Sequence, residues 1–296
     1  MRFGVRHVLL VNPSAGGGKA KRLLPETMAA FRTHELECRA VETRSAEHGC
    51  DEARRASKAG ETPVVLSGDG LIGQVGGALA GSDASLGILP GGRGNDLARV
   101  LGIPREIAGA VQVLAARATR RIDVGEVNGR RFLGVASCGF DSDANRIAND
   151  ARWVKGQLVY AYAAIRALLA WKPATFTLTL DGETHEFTGY SVAAANSGAF
   201  GGGMLVAPDA RLDDGELDVV WISKVGKLRY ASNLPKVFDG SHVQNDEVHV
   251  RRVAEVGIEA DRPFAVYADG DHIADLPATV RVLPAALSVI APPATA

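Results

Sequence analysis

Along the first ~125 residues, apolar positions gather into short β-branched runs separated by longer stretches of helical spacing, the pattern of a parallel sheet covered by helices. Strands are expected at residues 8–11, 63–67 and 85–89, each ending in a Gly-rich or Pro-rich turn and each followed by a helix. Leu24, Met28 and Phe31 recur at helical spacing after the first turn, and Pro25 inside that pattern requires the helix to start late or bend. From about Arg121 the texture changes to short alternating runs at 122–127, 131–137, 175–180, 216–222, 247–253 and 280–283, broken by Gly, Asp and Pro. A period of two implies half-buried antiparallel strands. Residues 175–180, then Asp181-Gly182, then a further alternating run make a hairpin signal, because Asp-Gly suits the tight turn that matches strand twist. One helical segment interrupts this half, with Leu158, Tyr162, Ile165 and Leu169 on one face. The expectation is an α/β N-terminal domain over residues 1–125 and a mainly antiparallel β C-terminal domain over 126–290, with a frayed Ala/Pro-rich tail.

Length supports two domains, since 296 residues exceed the roughly 100–200 typical of one. A net charge of -1 with Lys and Arg scattered gives no field to concentrate nucleic acid, so nucleic acid is excluded as a partner. Three widely spaced cysteines make neither a disulfide framework nor a zinc knuckle, and the histidines have no ligand spacing. The apolar stretch 7–11 ends at Asn12-Pro13, too soon for a signal peptide, and the apolar segment 158–171 is short and carries Arg166. A cytoplasmic protein is expected, with any membrane contact transient and peripheral.

Three glycine-rich turns carry the chemistry. In an open α/β sheet, turns at the carboxyl ends of the strands converge on one crevice. The first, residues 12–19, offers bare N–H groups and Lys19 at a helix start, which suits an anion, although such turns are also plain connectors. In the second, Ser67 to Gly73, the glycines admit a phosphate close to the backbone and Asp69 can orient a magnesium-bound phosphate through water; the alternative is an ordinary Asp-Gly turn. The third, residues 89–99, adds Gly92, Arg93 and Gly94, with Asn95 or Asp96 capping the next helix.

Taken together and in order, these turns resemble the catalytic domain of the diacylglycerol kinase family, which includes bacterial lipid kinases and sphingosine and ceramide kinases. The second half continues the resemblance through Gly139-Phe140-Asp141, residues 196–208, residues 212–218 and Asp269-Gly270-Asp271. The resemblance implies a nucleotide-binding Rossmann-like α/β domain of the NAD kinase and diacylglycerol kinase type, joined to a β-sandwich domain, with ATP and a lipid meeting between them. It implies nucleotide contacts from Asn12, Lys19, Thr43, Ser67, Gly68, Asp69, Gly70, Leu71, Ile72, Gly73, Gly92, Arg93 and Asn95. It makes Asp271 the general base and Asp269 a positioner of metal or substrate. It places a structural magnesium on Asp214 and the carbonyls of Arg211 and Glu216. Phosphoryl transfer asks for positioning and charge neutralisation, which these residue types supply.

The sequence departs from the family pattern at four places. Leu71 stands where the family has Thr, Gly73-Gln74 replaces Asn-Glu, Arg93 replaces Thr and Asp271 replaces Glu. Arg93 either pairs with a phosphate or points to solvent. Diacylglycerol is the default acceptor, a sphingoid base or another lipid alcohol comes next, and an NAD-kinase-like enzyme or a non-catalytic ATP or lipid sensor are the alternatives. Trp153 and Trp171, near Arg152, Lys155, Arg166 and Lys172, suit either a bilayer surface or packing on the β domain. A homodimer stays open.

Overall fold

The computed structural model describes residues 6–140, 142, 168 and 170–293. The expected helical face of Leu158, Tyr162, Ile165 and Leu169 lies outside them, as do Trp153, Arg152, Lys155 and Arg166. Trp171 is described, and it is buried against Tyr190 and Phe264 with the Arg262 guanidinium over its ring. For that residue packing on the β domain wins.

The first half alternates strand and helix. β1 (His7–Val11) leads to α1 (Ala15–Thr33), β2 (Cys38–Glu42) to α2 (Ala46–Lys58), and β3 (Thr62–Ser67) to α3 (Asp69–Leu79). β4 (Ser85–Pro90) is followed by α4 (Asp96–Val100) and α5 (Ile107–Ala116). The strands lie parallel in the order β2-β1-β3-β4. Every residue of β1 and the last five of β3 and β4 are buried, because helices cover both faces and demand unbroken apolar runs. β2 was not foreseen: it is an edge strand with Arg39 and Glu42 exposed, so it lacks the apolar run that betrays a central strand.

The second half holds β5 (Thr119–Val127), β6 (Arg130–Phe132), β7 (Val135–Gly139), β8 (Ala174–Leu180) and β9 (Glu183–Ala195). After them come the short hairpin β10 (Ala199–Phe200) and β11 (Met204–Leu205), then β12 (Leu217–Ser223). α6 (Lys227–Asn233) and 3₁₀ turns at Leu234–Phe238 and Ser241–Gln244 precede β13 (Val248–Val253). The chain closes with β14 (Glu255–Ala260), β15 (Ala265–Ala268), β16 (Asp271–Asp275) and β17 (Ala278–Ile290). The pairings among these strands are antiparallel, and the β8–β9 hairpin turns at Asp181-Gly182 with positive φ at both residues, as its sequence requires.

Two expected strands come out differently, each for a local reason. The run 131–137 splits into β6 and β7, because the N–H groups of Leu133 and Gly134 turn away from the ladder to the Asp269 carboxylate. The run 280–283 extends to Ile290 across a register shift between Leu283 and Leu287. There Ala285 takes positive φ and its N–H donates to Asp123 Oδ1 at 2.6 Å. Beyond that bend β17 runs parallel to β4 and antiparallel to β5, and Leu287 and Val289 enter the core of the first half. A second core, built on Phe132, Phe176, Tyr190 and Trp171, fills the antiparallel half. Among the described residues no helix is long and apolar enough to cross a membrane.

Candidate active site

The three glycine-rich turns leave the carboxyl ends of β1, β3 and β4 and touch one another. A methyl group on Gly92 would lie 2.4 Å from the Gly68 Cα, so the second and third turns meet backbone to backbone, a distance only glycine permits. A methyl on Gly16 would lie 2.8 Å from the Gly91 carbonyl oxygen, which brings in the first turn. The Gly91 N–H donates to the Ser67 carbonyl at 2.8 Å and ties the strand ends together.

The polar side chains expected to meet a nucleotide mostly shape these turns. Asn12 Oδ1 accepts from the Ser14 N–H at 3.1 Å and its hydroxyl at 2.8 Å. Gly16, Gly17 and Gly18 all have positive φ, so the regular part of α1 starts late, at Lys19, with Pro25 inside the helix. Thr43 directs both its N–H and its hydroxyl to the Val11 carbonyl. Leu71 and Ile72 point into the core, Leu71 against Gly49, so their side chains are spent on packing. Arg93 is exposed and its guanidinium stands over Gly17 of the first turn, at the mouth of the crevice.

Capping follows a different plan from the expected one. Asn95 sits in the left-handed region and spends its side chain on Gly92, whose N–H donates to Oδ1 at 2.8 Å and whose carbonyl accepts from Nδ2 at 3.2 Å. Asn95 occupies the N-cap position of α4, but its side chain makes no capping hydrogen bond. Asp69, at the start of α3, accepts the Leu97 N–H at 3.2 Å instead. Asp96 accepts the Gly202 N–H at 2.7 Å and ion-pairs with Arg99 at 3.2 Å, which joins α4 to the β10–β11 hairpin of the second half.

The second half reaches the crevice a second time through the β15–β16 hairpin. Its turn is Asp269-Gly270, both at positive φ, and β16 begins at Asp271. Asp271 is exposed, and its Oδ2 accepts from Gln74 Nε2 on α3 at 2.8 Å and lies 3.7 Å from where a methyl on Gly70 would be. Asp269 accepts the N–H groups of Leu133 and Gly134, each at 2.9 Å. Its carboxylate presses against α3, where a methyl on Gly73 would lie 2.7 Å from Oδ2. The small Gly73 therefore makes room for this aspartate.

Charge is concentrated here. Burial pushes the Asp269 carboxyl up to about 6, against the pull of the Leu133 and Gly134 N–H donors and with a smaller push from Asp69. Asp69 is raised too, first by burial and then by the Asp96 carboxylate, with the Leu97 N–H opposing. Sequence reasoning treated Gln74 only as a departure; its donation to Asp271 depends on a contact 197 positions apart that no local pattern reveals.

The expected metal loop lies elsewhere. Asp214 Oδ1 accepts the Glu216 N–H at 3.2 Å, Arg211 leans on Asp213 at 3.4 Å, and the Gly215 N–H donates to Asp123 Oδ2 at 2.7 Å. Its described contacts run to β5 and to the bend of β17, not to the glycine turns. The exposed Asp214 carboxylate is a hard oxygen donor of the kind that a magnesium ion keeping several waters takes. Among the described residues no three His, Cys, Asp or Glu side chains form a metal cluster.

Beside the crevice lies an apolar cavity of about 220 Å³ in the second half, lined by Phe140, Phe200, Met204, Val220, Tyr230 and Leu234 among others. Phe200 and Met204 belong to the hairpin whose Gly202 is held by Asp96, so the cavity and the crevice share a wall.

Comparison with known proteins covers both halves of the chain. Residues 6–127 match the diacylglycerol kinase catalytic domain, and residues 134–291 match the YegS C-terminal NAD kinase beta sandwich-like domain. The chain is 33% identical over 293 residues to a diacylglycerol kinase of Mycobacterium tuberculosis (strain CDC 1551 / Oshkosh), covering 96% of this chain and 94% of that one. It is 27% identical over 282 residues to a diacylglycerol kinase of Bacillus subtilis (strain 168), covering 91% and 90%. A solved diacylglycerol kinase structure from Bacillus anthracis str. Sterne has the same fold, with a TM-score of 0.74 at 22% identity and 100% of both chains covered. A second structure from that organism reaches 0.82 over 98% of this chain and 96% of the other, also at 22% identity. With its turns, its hairpin aspartates and its near end-to-end relatives pointing the same way, this chain belongs to the diacylglycerol kinase family and is a lipid kinase.

Proposed function

We propose that the protein transfers the terminal phosphoryl group of ATP to the free hydroxyl of diacylglycerol, giving phosphatidic acid. The observation that carries this reading is the meeting of three glycine turns with Asp271, an acid from the other half of the chain. In this reading residues 1–125 hold the nucleotide and 126–290 hold the lipid. Backbone N–H groups of the turns around Gly16, Gly68 to Gly73 and Gly92 cradle the phosphates, with Lys19 and Arg93 supplying positive charge. Asp271 takes the proton of the acceptor hydroxyl, the oxygen attacks the terminal phosphorus, and the bond to the ADP oxygen breaks. Gln74 holds Asp271 in place, and Asp269 fixes the hairpin that presents it. A magnesium ion bound with the nucleotide would neutralise phosphate charge, and Asp69 and Asp96 would be the carboxylates to hold it. A separate magnesium on Asp214, with the carbonyls of Arg211 and Glu216, would brace the loop against β5. Part of one acyl chain would enter the apolar cavity, whose wall of Phe200 and Met204 adjoins the crevice.

The test is an acceptor panel. Purified protein, magnesium and labelled ATP are mixed with micelles carrying diacylglycerol, a sphingoid base or another lipid alcohol, and with NAD in solution. Label is expected in phosphatidic acid. Label in NAD without lipid, or in no acceptor at any magnesium concentration, overturns the reading.

A further inference from the structure

We infer that Ala193 sets the acyl-chain selectivity of the acceptor site: one chain passes over its methyl to fill the apolar cavity, and a larger side chain there shuts that chain out. The inference rests on the lipid reading of the cavity and names what that site selects. Strand periodicity lays out the floor. Ser191 and Ala193 on β9 share one face of the sheet with Val220 and Ile222 on β12, and all four line the cavity. Register sets them in two ranks, Ala193 beside Val220, and Ser191 beside Ile222 and then Val248 of β13. The ranks lie about 7 Å apart along the strands. The Ala193 rank is the nearer to the crevice. β9 ends at Ala195, and the next residue, Asn196, donates its N–H to the Gly134 carbonyl and its amide to the Leu133 carbonyl, each at 2.9 Å. Leu133 and Gly134 are the residues that hold Asp269. The Ser191 rank is the deeper, because Ser191 pairs with Gly139 and the following Phe140 meets Tyr230 with ring centres 5.0 Å apart. Both rings line the cavity and belong to the second core, so aromatic packing bounds that end.

Size and polarity identify the occupant. An apolar cavity of about 150 Å³ takes one benzene, so one of about 220 Å³ takes on the order of nine carbon atoms. That is part of one acyl chain, and two chains do not fit. The larger polar residues of the lining are already engaged. Asn233 donates to Glu247 at 2.8 Å, Arg229 reaches both oxygens of that carboxylate at 2.9 and 2.7 Å, and His242 Nε2 lies 3.1 Å from the Val206 carbonyl oxygen. Hydrocarbon is what remains for the cavity to recognise. Between crevice and deep end the floor carries only a methyl at Ala193, where the side chains packed around it are the larger Phe200, Val206 and Val220. The smallest side chain thus stands at the rank that the acyl chain crosses first.

A chain-length series tests this. Dibutyryl-, dihexanoyl- and dioctanoylglycerol, each dissolved as monomers below its aggregation concentration, are offered with ATP and magnesium to the wild type, Ala193→Val and Ala193→Leu. For the wild type, kcat/KM is expected to rise by up to about fourfold for each carbon added to both chains, since one chain is buried from water and the other is not. Ala193→Leu should lower the ratio of kcat/KM for dioctanoyl- over dibutyrylglycerol about tenfold or more, with the loss in KM rather than kcat, and Ala193→Val should fall between. Ala193 is 4% exposed, so melting curves accompany the kinetics. If leucine there prevents folding, valine, which suits a strand, decides alone. A wild-type kcat/KM that is flat across the series, or a folded variant that keeps the wild-type ratio, overturns the inference. Transfer to none of the three while micellar diacylglycerol is phosphorylated overturns this inference alone; transfer to neither overturns the acceptor reading with it.

Discussion

Asp271 and Asp269 are two residues apart in one hairpin and have opposite surroundings. Asp271 is exposed and, among the described residues, held by a single neutral side-chain donor, Gln74, which orients the carboxylate without taking its charge. Replacing Gln74 by Glu puts a second carboxylate in place of that donor, and like charges in contact favour protonation. Gln74→Glu is expected to slow transfer about tenfold and to move the acidic limb of the pH–rate profile upward, with Gln74→Ala showing the slowing without that movement. Asp269 carries a pKa raised from 3.8 to about 6 by burial, so its effect on stability has a definite sign. Below 3.8 both folded and unfolded chains hold the proton; between 3.8 and about 6 the unfolded chain releases it while the folded one keeps it. Its contribution to stability therefore falls as pH rises through that window and is level above it. Urea melts of wild type and Asp269→Asn across this range should show the difference between them shifting against the wild type. A difference independent of pH would show that Asp269 ionises alike in both states.

At the level of elements, the crevice depends on turns that touch through glycine. Gly92→Ala places a methyl 2.4 Å from the Gly68 backbone, where nothing flexible can give way. It should cost about 1–3 kcal/mol of stability and weaken ATP binding more than an equally destabilising change in the second half, as calorimetric titration would reveal. These turns were legible in the sequence because each Gly-rich stretch ends an apolar run, and turns at the carboxyl ends of parallel strands converge on one crevice. The partners of those turns were not legible. Asn95 reads as a helix cap, yet Gly92 claims its side chain and Asp69 caps the helix from another element. The cross-half contacts of Gln74, Asp269 and Asp96 join residues too far apart for periodicity to report. β17 was read to Leu283 alone, since Pro284 breaks the alternation that resumes beyond the bend. Leu287, past that break, is fully buried in the first core, and Leu287→Ala should cost about 2–5 kcal/mol in a urea melt and loosen the first half.

For the molecule as a whole, the last strand matters as much as the first. β17 leaves the antiparallel half and completes the parallel sheet between β4 and β5, so both halves share one hydrogen-bonded network. Asp96 with Gly202, and the hairpin from Asp269 to Asp271 against α3, then bridge the crevice at its rim. This architecture sets an acid of one half over the glycine turns of the other. Its most direct test pairs two measurements on Asp271→Asn, transfer from labelled ATP to diacylglycerol in micelles and ATP affinity by titration. Transfer should fall about 100-fold or more while ATP binds nearly as tightly as to the wild type. Undiminished turnover in the variant would contradict the assignment of Asp271 as the base that opens the acceptor hydroxyl.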